Sequence, residues 1–173
     1  MIQKILQVDN KNPTTDGSGL IALESPANFN GYLNDHSLNA NLFTQNGFIL
    51  GDLGKLEQNG NLYHLGRFDH MMIFNGMNIY PAEIERFLLA HPMIDDATSF
   101  PIHHDIHQDI PVAAVCLKPD SILEEKEILA YCKSGLGAHA PHRIFILNEL
   151  TRNERGKVVV ENLLKKIKNK FYE

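Results

Sequence analysis

Five positions in the chain bring together groups able to do chemistry: Asp52 in LGDLG, Arg67 and Asp69 in GRFD, Gly76 in FNGMN and Lys157 in TRNERGK. A fixed carboxylate accepts hydrogen bonds, and a guanidinium fork suits oxygen acceptors. A lysine can stabilise negative charge as it develops. The segment from Gly66 to Glu85, GRFDHMMIFNGMNIYPAEIE, sets an Arg-x-Asp pair, a glycine-centred loop and a proline-started helix within one short stretch. Taken singly, each residue also has a plain structural reading. Asp52 can cap a turn, Arg67 and Asp69 can be a surface pair of small energetic weight, Gly76 can be an ordinary loop glycine, and Lys157 can be one more solvated lysine. Their joint occurrence, in this order, favours a shared purpose.

The elements that must position these residues follow from pattern. The first 65 residues read as β and loop, with short strands in IQKILQV and GLIALES separated by the turn-rich NKNPTTDGSG. NGFILGDLGKLEQNGNLYHLGR reads as a strand, a turn and a hairpin, and Asn59-Gly60 is expected to supply the tight reversal through positive φ at both residues. After Arg67 the period changes. PAEIERFLLAH predicts a helix with Pro81 at its first position, Glu83 and Glu85 near the positive end of its dipole, and Ile84, Phe87 and Leu88 on one face. SILEEKEILAYCKSGL predicts a second helix opened by Ser121 and Glu124 in capping-box spacing, with Ile128, Leu129 and Cys132 spaced helically. ATSFP, PVAAVCLK and RIFIL read as strands, and a last helix over 158–168 turns Leu163, Leu164 and Ile167 inward and lysines outward.

Composition narrows the class. With 173 residues, 43% hydrophobic and 21% charged, the chain is long enough for one ordinary domain or two small ones and is neither disordered nor fibrous. A net charge of −5 supplies no general attraction to nucleic acid or anionic lipid, so neither is expected as a partner. No apolar run approaches the ~20 residues of a membrane helix, and MIQKILQVDN lacks a signal-peptide core, so a cytoplasmic location is expected. Cys116 and Cys132 sit among apolar neighbours and read as buried free thiols.

Five motifs in order, GYLND, LGDLG, GRFD, GMNIYPAEIE and RNERGK, make the chain resemble the C-terminal portion of the AMP-forming adenylating enzymes, the superfamily of acyl- and aryl-CoA synthetases, peptide-synthetase adenylation domains and luciferases. The resemblance runs through essentially the whole chain. It implies an α+β fold with residues 1–66 as a distorted β-barrel lobe from the end of the AMP-binding domain and 67–173 as a mobile C-terminal domain. It implies that Asp52 accepts hydrogen bonds from the ribose hydroxyls of ATP or AMP and that Arg67 reaches the ribose or phosphate edge. Asp69 becomes the hinge, and Lys157 meets the α-phosphate and carboxylate during adenylation. Gly76, Met77 and Asn78 then line a tunnel for the thiol of CoA or of a phosphopantetheine on an acyl carrier protein.

The implied reaction is that of an acid–thiol ligase: carboxylate plus ATP to acyl-adenylate, with Mg in the complete enzyme, then transfer to the thiol. The family's phosphate loop, adenine pocket and acyl pocket belong to upstream lobes, so an N-terminal AMP-binding domain is the expected partner and the 173 residues alone are expected to be inactive. Three positions depart from the pattern: Leu50 stands where a threonine is usual, His70 replaces a second acidic residue, and Ile73 occupies a frequent lysine position. IHHDIHQD offers His103, His104 and His107, but by the resemblance it is a surface turn, and no metal is expected there. The competing reading is a truncated, non-catalytic paralogue that binds a protein or carrier.

Overall fold

The computed structural model describes residues 2–6 and 17–171, and the side chains of 4–6 and 17–167. The chain divides into two compact units, Met1–His70 and Met71–Glu173. The fold is mixed α/β with curled sheets. Most of the expected turn over residues 10–19 lies outside the described residues.

The first unit is one antiparallel sheet of five strands: β1 (Ile2–Leu6), β2 (Ser18–Glu24), β3 (Phe43–Thr44), β4 (Gly47–Leu56) and β5 (Leu62–Arg67). The long β4 organises it. One edge pairs with β2, while the other pairs first with β3 and then with β5. Register shifts between Leu20 and Ala22 and between Leu53 and Gly54 mark irregularities of the bulge kind that bend strands and raise their twist. Ile5, Leu6, Leu20, Ile21, Ile49 and Leu53 are buried.

Two local expectations change here. The loop between β4 and β5 is not a two-residue reversal: Gly60 N–H donates to Glu57 O at 2.9 Å, and only Gly60 has positive φ (87°). That is a type I turn closed by a left-handed glycine, and the Asn59 side chain instead accepts from Asn61 N–H at 2.9 Å. The region read as β and loop also contains a helix, α1 (His36–Leu42), which Asp35 caps by accepting from Leu38 N–H at 2.9 Å.

In the second unit β9 (Gln108–Leu117) is the central strand. It pairs antiparallel with β8 (Ile94–His104) on one edge. On the other edge it meets β10 (Arg143–Ile146) in parallel and β6 (Met72–Phe74), which forms a hairpin with β7 (Met77–Ile79). Helices cover both faces. Ala113 and Val115 join Ile84 and Leu88 of α2 (Pro81–Leu89) and Ile128 and Cys132 of α3 (Glu125–Leu136) in one core. Val112, Ala114 and Cys116 turn the other way, toward Leu163 and Ile167 of α4 (Val160–Phe171). Two covered faces explain why PVAAVC is a continuous apolar run rather than an alternating one.

Phe100 and Phe145 are both 2% exposed or less, each stabilising the unit by roughly 1.5–3 kcal/mol through burial. Helix α2 is tied to β8 by Glu85, whose Oε1 accepts from Thr98 Oγ1 at 3.1 Å and Ser99 N–H at 2.9 Å, so the two buried polar residues of β8 have partners. Helix α3 starts later than expected. Glu124, not Ser121, is its cap, in a reciprocal box with Glu127, because Ser121 N–H is engaged in a turn with Lys118 O. Cys116 and Cys132 are free and buried.

Candidate functional site

In the first unit the register of the β4–β5 hairpin sets Asp52 opposite Arg67. The Arg67 guanidinium is shared among three oxygens. Nη1 donates to Leu50 O at 3.1 Å and lies 3.5 Å from Asp52 Oδ1, and Nε donates to Asp69 Oδ1 at 3.2 Å. Gly51 makes room for this. Its φ is +76°, and a Cβ there would sit 3.1 Å from Arg67 Nη2. Asp69 belongs to a short 3-10 turn, Phe68–His70, and its hydrogen bond from Arg67 holds its carboxyl below the usual carboxylate range, while the same bond raises the guanidinium further. His64 Nε2 approaches Asp52 Oδ1 to 3.7 Å. Asp52, Arg67 and Asp69 thus form one connected polar group with exposed edges. Sequence reasoning missed two members of it, the Leu50 carbonyl and Gly51, because a main-chain oxygen leaves no residue-type signal.

In the second unit FNGMN is a tight β-hairpin rather than an open loop. Asn75 (φ 49°) and Gly76 (φ 78°) are its two turn residues, bracketed by the Phe74–Met77 pair. This is the type I′ reversal that Asn-Gly favours. Gly76 and Asn78 are exposed and Met77 is half-buried, whereas Met72 and Ile79 at the hairpin's root are buried. The tip presents backbone: nothing lies within 4 Å of where a Gly76 Cβ would be. Beside Met77 a cleft of about 290 Å³ is lined also by Phe74, Lys133, Ala140 and His142. Although His142 is exposed, partial desolvation at the cleft holds its imidazole below the ordinary value, helped by the Lys133 and His107 charges.

Lys157 closes a small loop built by the rest of RNERGK. Asn153 Oδ1 accepts from Arg155 N–H at 3.0 Å and Lys157 N–H at 2.9 Å, and Gly156 turns the chain with φ 76°. Arg152 braces the loop twice: Nη1 donates to Gly156 O at 2.8 Å, and Nη2 meets both carboxylate oxygens of Asp96 at 2.8 and 2.6 Å. Lys157 itself is exposed, and its ammonium has no ion-pair partner among the described residues. The loop is therefore an anchored platform for one uncommitted cation. Arg152, Asn153 and Asp96 were not singled out from sequence as its supports, and the Arg152–Asp96 pair spans 56 residues.

The Lys157 loop and the Gly76 hairpin occupy opposite ends of the same sheet. Arg152 holds the loop to Asp96, near the start of β8, while β6 meets β9 at Gln108, opposite His104 at the end of β8. From Asp96 to His104 the strand covers roughly 25 Å at ~3.3 Å per residue. Among the described residues no group of three or more His, Cys, Asp or Glu side chains converges to hold a metal ion. His104 Nδ1 accepts from Ile106 N–H and His107 N–H, His103 Nδ1 lies 3.7 Å from Asp109 Oδ1, and the His107 ring reaches Asn75 in the β6–β7 hairpin.

Residues 83–157, from the middle of α2 through the lysine loop, match the family of AMP-binding enzyme C-terminal domains. They are a domain of that family. The chain is 31% identical over 156 residues to a 2-succinylbenzoate–CoA ligase of Geobacillus kaustophilus, which covers 90% of this chain and 32% of the relative. It is 37% identical over 147 residues to the Bacillus cereus ligase of the same name, covering 84% and 30%. Among solved structures, ATP-bound MatB from Rhodopseudomonas palustris aligns with a TM-score of 0.84 at 26% identity over 99% of this chain and 35% of MatB. The Bacillus subtilis o-succinylbenzoate CoA synthetase in complex with its acyl-adenylate intermediate aligns with a TM-score of 0.81 at 30% identity, over 94% and 33%. The chain thus spans about a third of the length of these relatives, and it corresponds to a C-terminal part of an AMP-forming ligase. No helix among the described residues is long and apolar enough to cross a membrane.

Proposed function

We propose that this chain provides the ribose contact, hinge and catalytic lysine of an acid–thiol ligase acting through an acyl-adenylate. In the first half-reaction a carboxylate oxygen attacks the α-phosphorus of ATP and pyrophosphate leaves. In the second, a thiolate attacks the acyl carbon and AMP leaves. Asp52 and Arg67 bind the ribose and its phosphate edge, where a half-buried carboxylate and an exposed guanidinium offer complementary acceptor and donor groups. Residues 1–66 close the AMP-binding domain of an N-terminal partner, and residues 67–173 turn about Asp69. Lys157 stabilises charge on the phosphate and carboxylate oxygens during adenylation. Gly76, Met77 and Asn78 line the path of a CoA or phosphopantetheine thiol, the side-chain-free tip of the hairpin allowing close approach. Mg enters with the complete ATP site; the described residues offer no cluster for it. Of the acids named for relatives, 2-succinylbenzoate is the first to test.

The observation that carries this reading is the separation of the Lys157 loop and the Gly76 hairpin along β8. One reacting centre cannot meet both without reorientation, as expected for a domain that serves two half-reactions in turn. The non-catalytic reading has no observation in its favour, since an anchored but unpaired lysine is of no use to a passive binding module. The test joins the chain, by fusion or co-expression, to the N-terminal part of the Bacillus cereus relative, with the chain alone as a control that should show no exchange. Lys157→Ala should lower acid-dependent pyrophosphate exchange by roughly 10²–10³ and leave thioester formation from pre-made adenylate nearly unchanged. Gly76→Trp should do the reverse. Equal slowing of both steps by Lys157→Ala would refute the assignment.

A further inference from the structure

The Gly76 hairpin is fastened to its sheet by very little backbone. Strands β6 and β9 share a single register pair, Phe74 with Gln108, whereas β8 pairs with β9 along nearly its whole length. Side chains from the β8–β9 turn take over. Asp109 Oδ2 accepts from Ile73 N–H at 3.1 Å, capping a main-chain donor that no neighbouring strand reaches. His107 Nδ1 donates to Asn75 Oδ1 at 2.9 Å, gripping the turn one residue before Gly76. Phe74 is buried, with the His142 ring at 4.5 Å and the His107 ring at 6.0 Å. Gln108, with φ at 63°, turns the chain between His107 and Asp109, and both side chains reach the one hairpin. A hydrogen bond accepted by a charged carboxylate is about twice as strong as a neutral one, so Asp109 is the firmer of the two holds.

We propose that His107 and Asp109 are positioning residues for the thiol half-reaction: they clamp the Gly76–Asn78 hairpin in the conformation that lines the thiol path, without touching substrate themselves. This rests on the ligase reading above. A loose tip leaves the path unformed for part of the time and so weakens apparent thiol affinity, while the lysine loop, at the other end of β8, is untouched.

Two measurements separate the clamp from the reaction. In the 173-residue chain, amide exchange followed by NMR reads the clamp directly. Asp109→Ala should speed exchange at Ile73 by about ten- to a hundredfold, the loss of one hydrogen bond to a charged group. Asp109→Asn, which keeps an acceptor oxygen, should recover most of the protection. Asn75→Gly preserves the left-handed turn but removes the His107 acceptor, and should loosen the hairpin amides, whereas Asn75→Asp should not. Unchanged protection in both Asp109→Ala and Asn75→Gly overturns the clamp. In the chain joined to an N-terminal partner, Asp109→Ala should raise KM for the thiol at least about tenfold, with pyrophosphate exchange held within about twofold and the Asn variant near the unmutated protein. A parallel fall in both steps would show a merely structural residue and overturn the positioning role. A clamp visible by exchange in a joined enzyme that shows adenylation but no thiol-dependent turnover would overturn the thiol-path reading beneath it.

Discussion

Replacing Arg152 by methionine tests whether the lysine loop is a platform for chemistry or a structural brace. Methionine keeps much of the aliphatic stem and removes the guanidinium. Arg152 and Asp96 side chains are 42% and 31% exposed, so the ion pair is screened and its weight is that of a partly exposed pair, up to about 1 kcal/mol. The bond to Gly156 O adds about 0.5–1 kcal/mol. The total, about 0.5–2 kcal/mol, falls on a loop that Asn153 still ties, so it appears as local opening more than as global unfolding. If Lys157 acts only from the closed loop, that cost lowers pyrophosphate exchange by about 2–30-fold in the joined enzyme. The loss is well short of that expected for Lys157→Ala. Thermal unfolding of the 173-residue chain should shift by less than about 8 °C, and the unmutated protein should move toward the variant in about 1 M salt. Loss of exchange as severe as that of Lys157→Ala would mean Arg152 itself meets the reacting groups. Full activity would mean the loop needs no brace. Either result refutes the reasoning.

Two pH dependences follow from the surroundings of Cys132 and His142. Burial pushes the Cys132 thiol up to about 11 from 9.0, so the folded state favours the protonated form; denaturant-derived stability should fall as pH rises from about 9 toward 11, and Cys132→Ala should flatten that slope. His142 has the opposite sense: its folded imidazole resists protonation, so stability is full above the unfolded value of 6.5 and is lost as pH falls below it. His142→Gln should remove part of the decline below about pH 6.5 seen by thermal unfolding, and an identical decline in the variant would contradict the assignment.

Local pattern settled much of this protein. Pro81 at the first turn of α2 and the Ile84–Leu88 stripe gave the helix its start and its buried face, because both depend on contacts within a few residues. PVAAVCLK declared a strand, and the structure adds that its consecutive apolar side chains point alternately to α2–α3 and to α4. The five motifs, read in order, marked Asp52, Arg67, Asp69, Gly76 and Lys157 as the positions to examine.

Tertiary structure decided what local rules leave degenerate. The chain contains two Asn-Gly pairs, and the dipeptide alone cannot rank them. Asn59-Gly60 lies in a longer loop where the β4–β5 register leaves room for a type I turn, while Asn75-Gly76 must join strands already paired at Phe74 and Met77, so only it takes the two-residue form. Spacing pairs Ser121 with Glu124 in a capping box, but Glu124 is itself the cap, with Glu127 as its partner, because Ser121 is spent on a turn after β9. The fastenings of the site, Arg152 to Asp96 and Asp109 to Ile73, join residues 56 and 36 apart. Their partners are chosen by strand order in the finished sheet, and no short-range preference along the chain records that order.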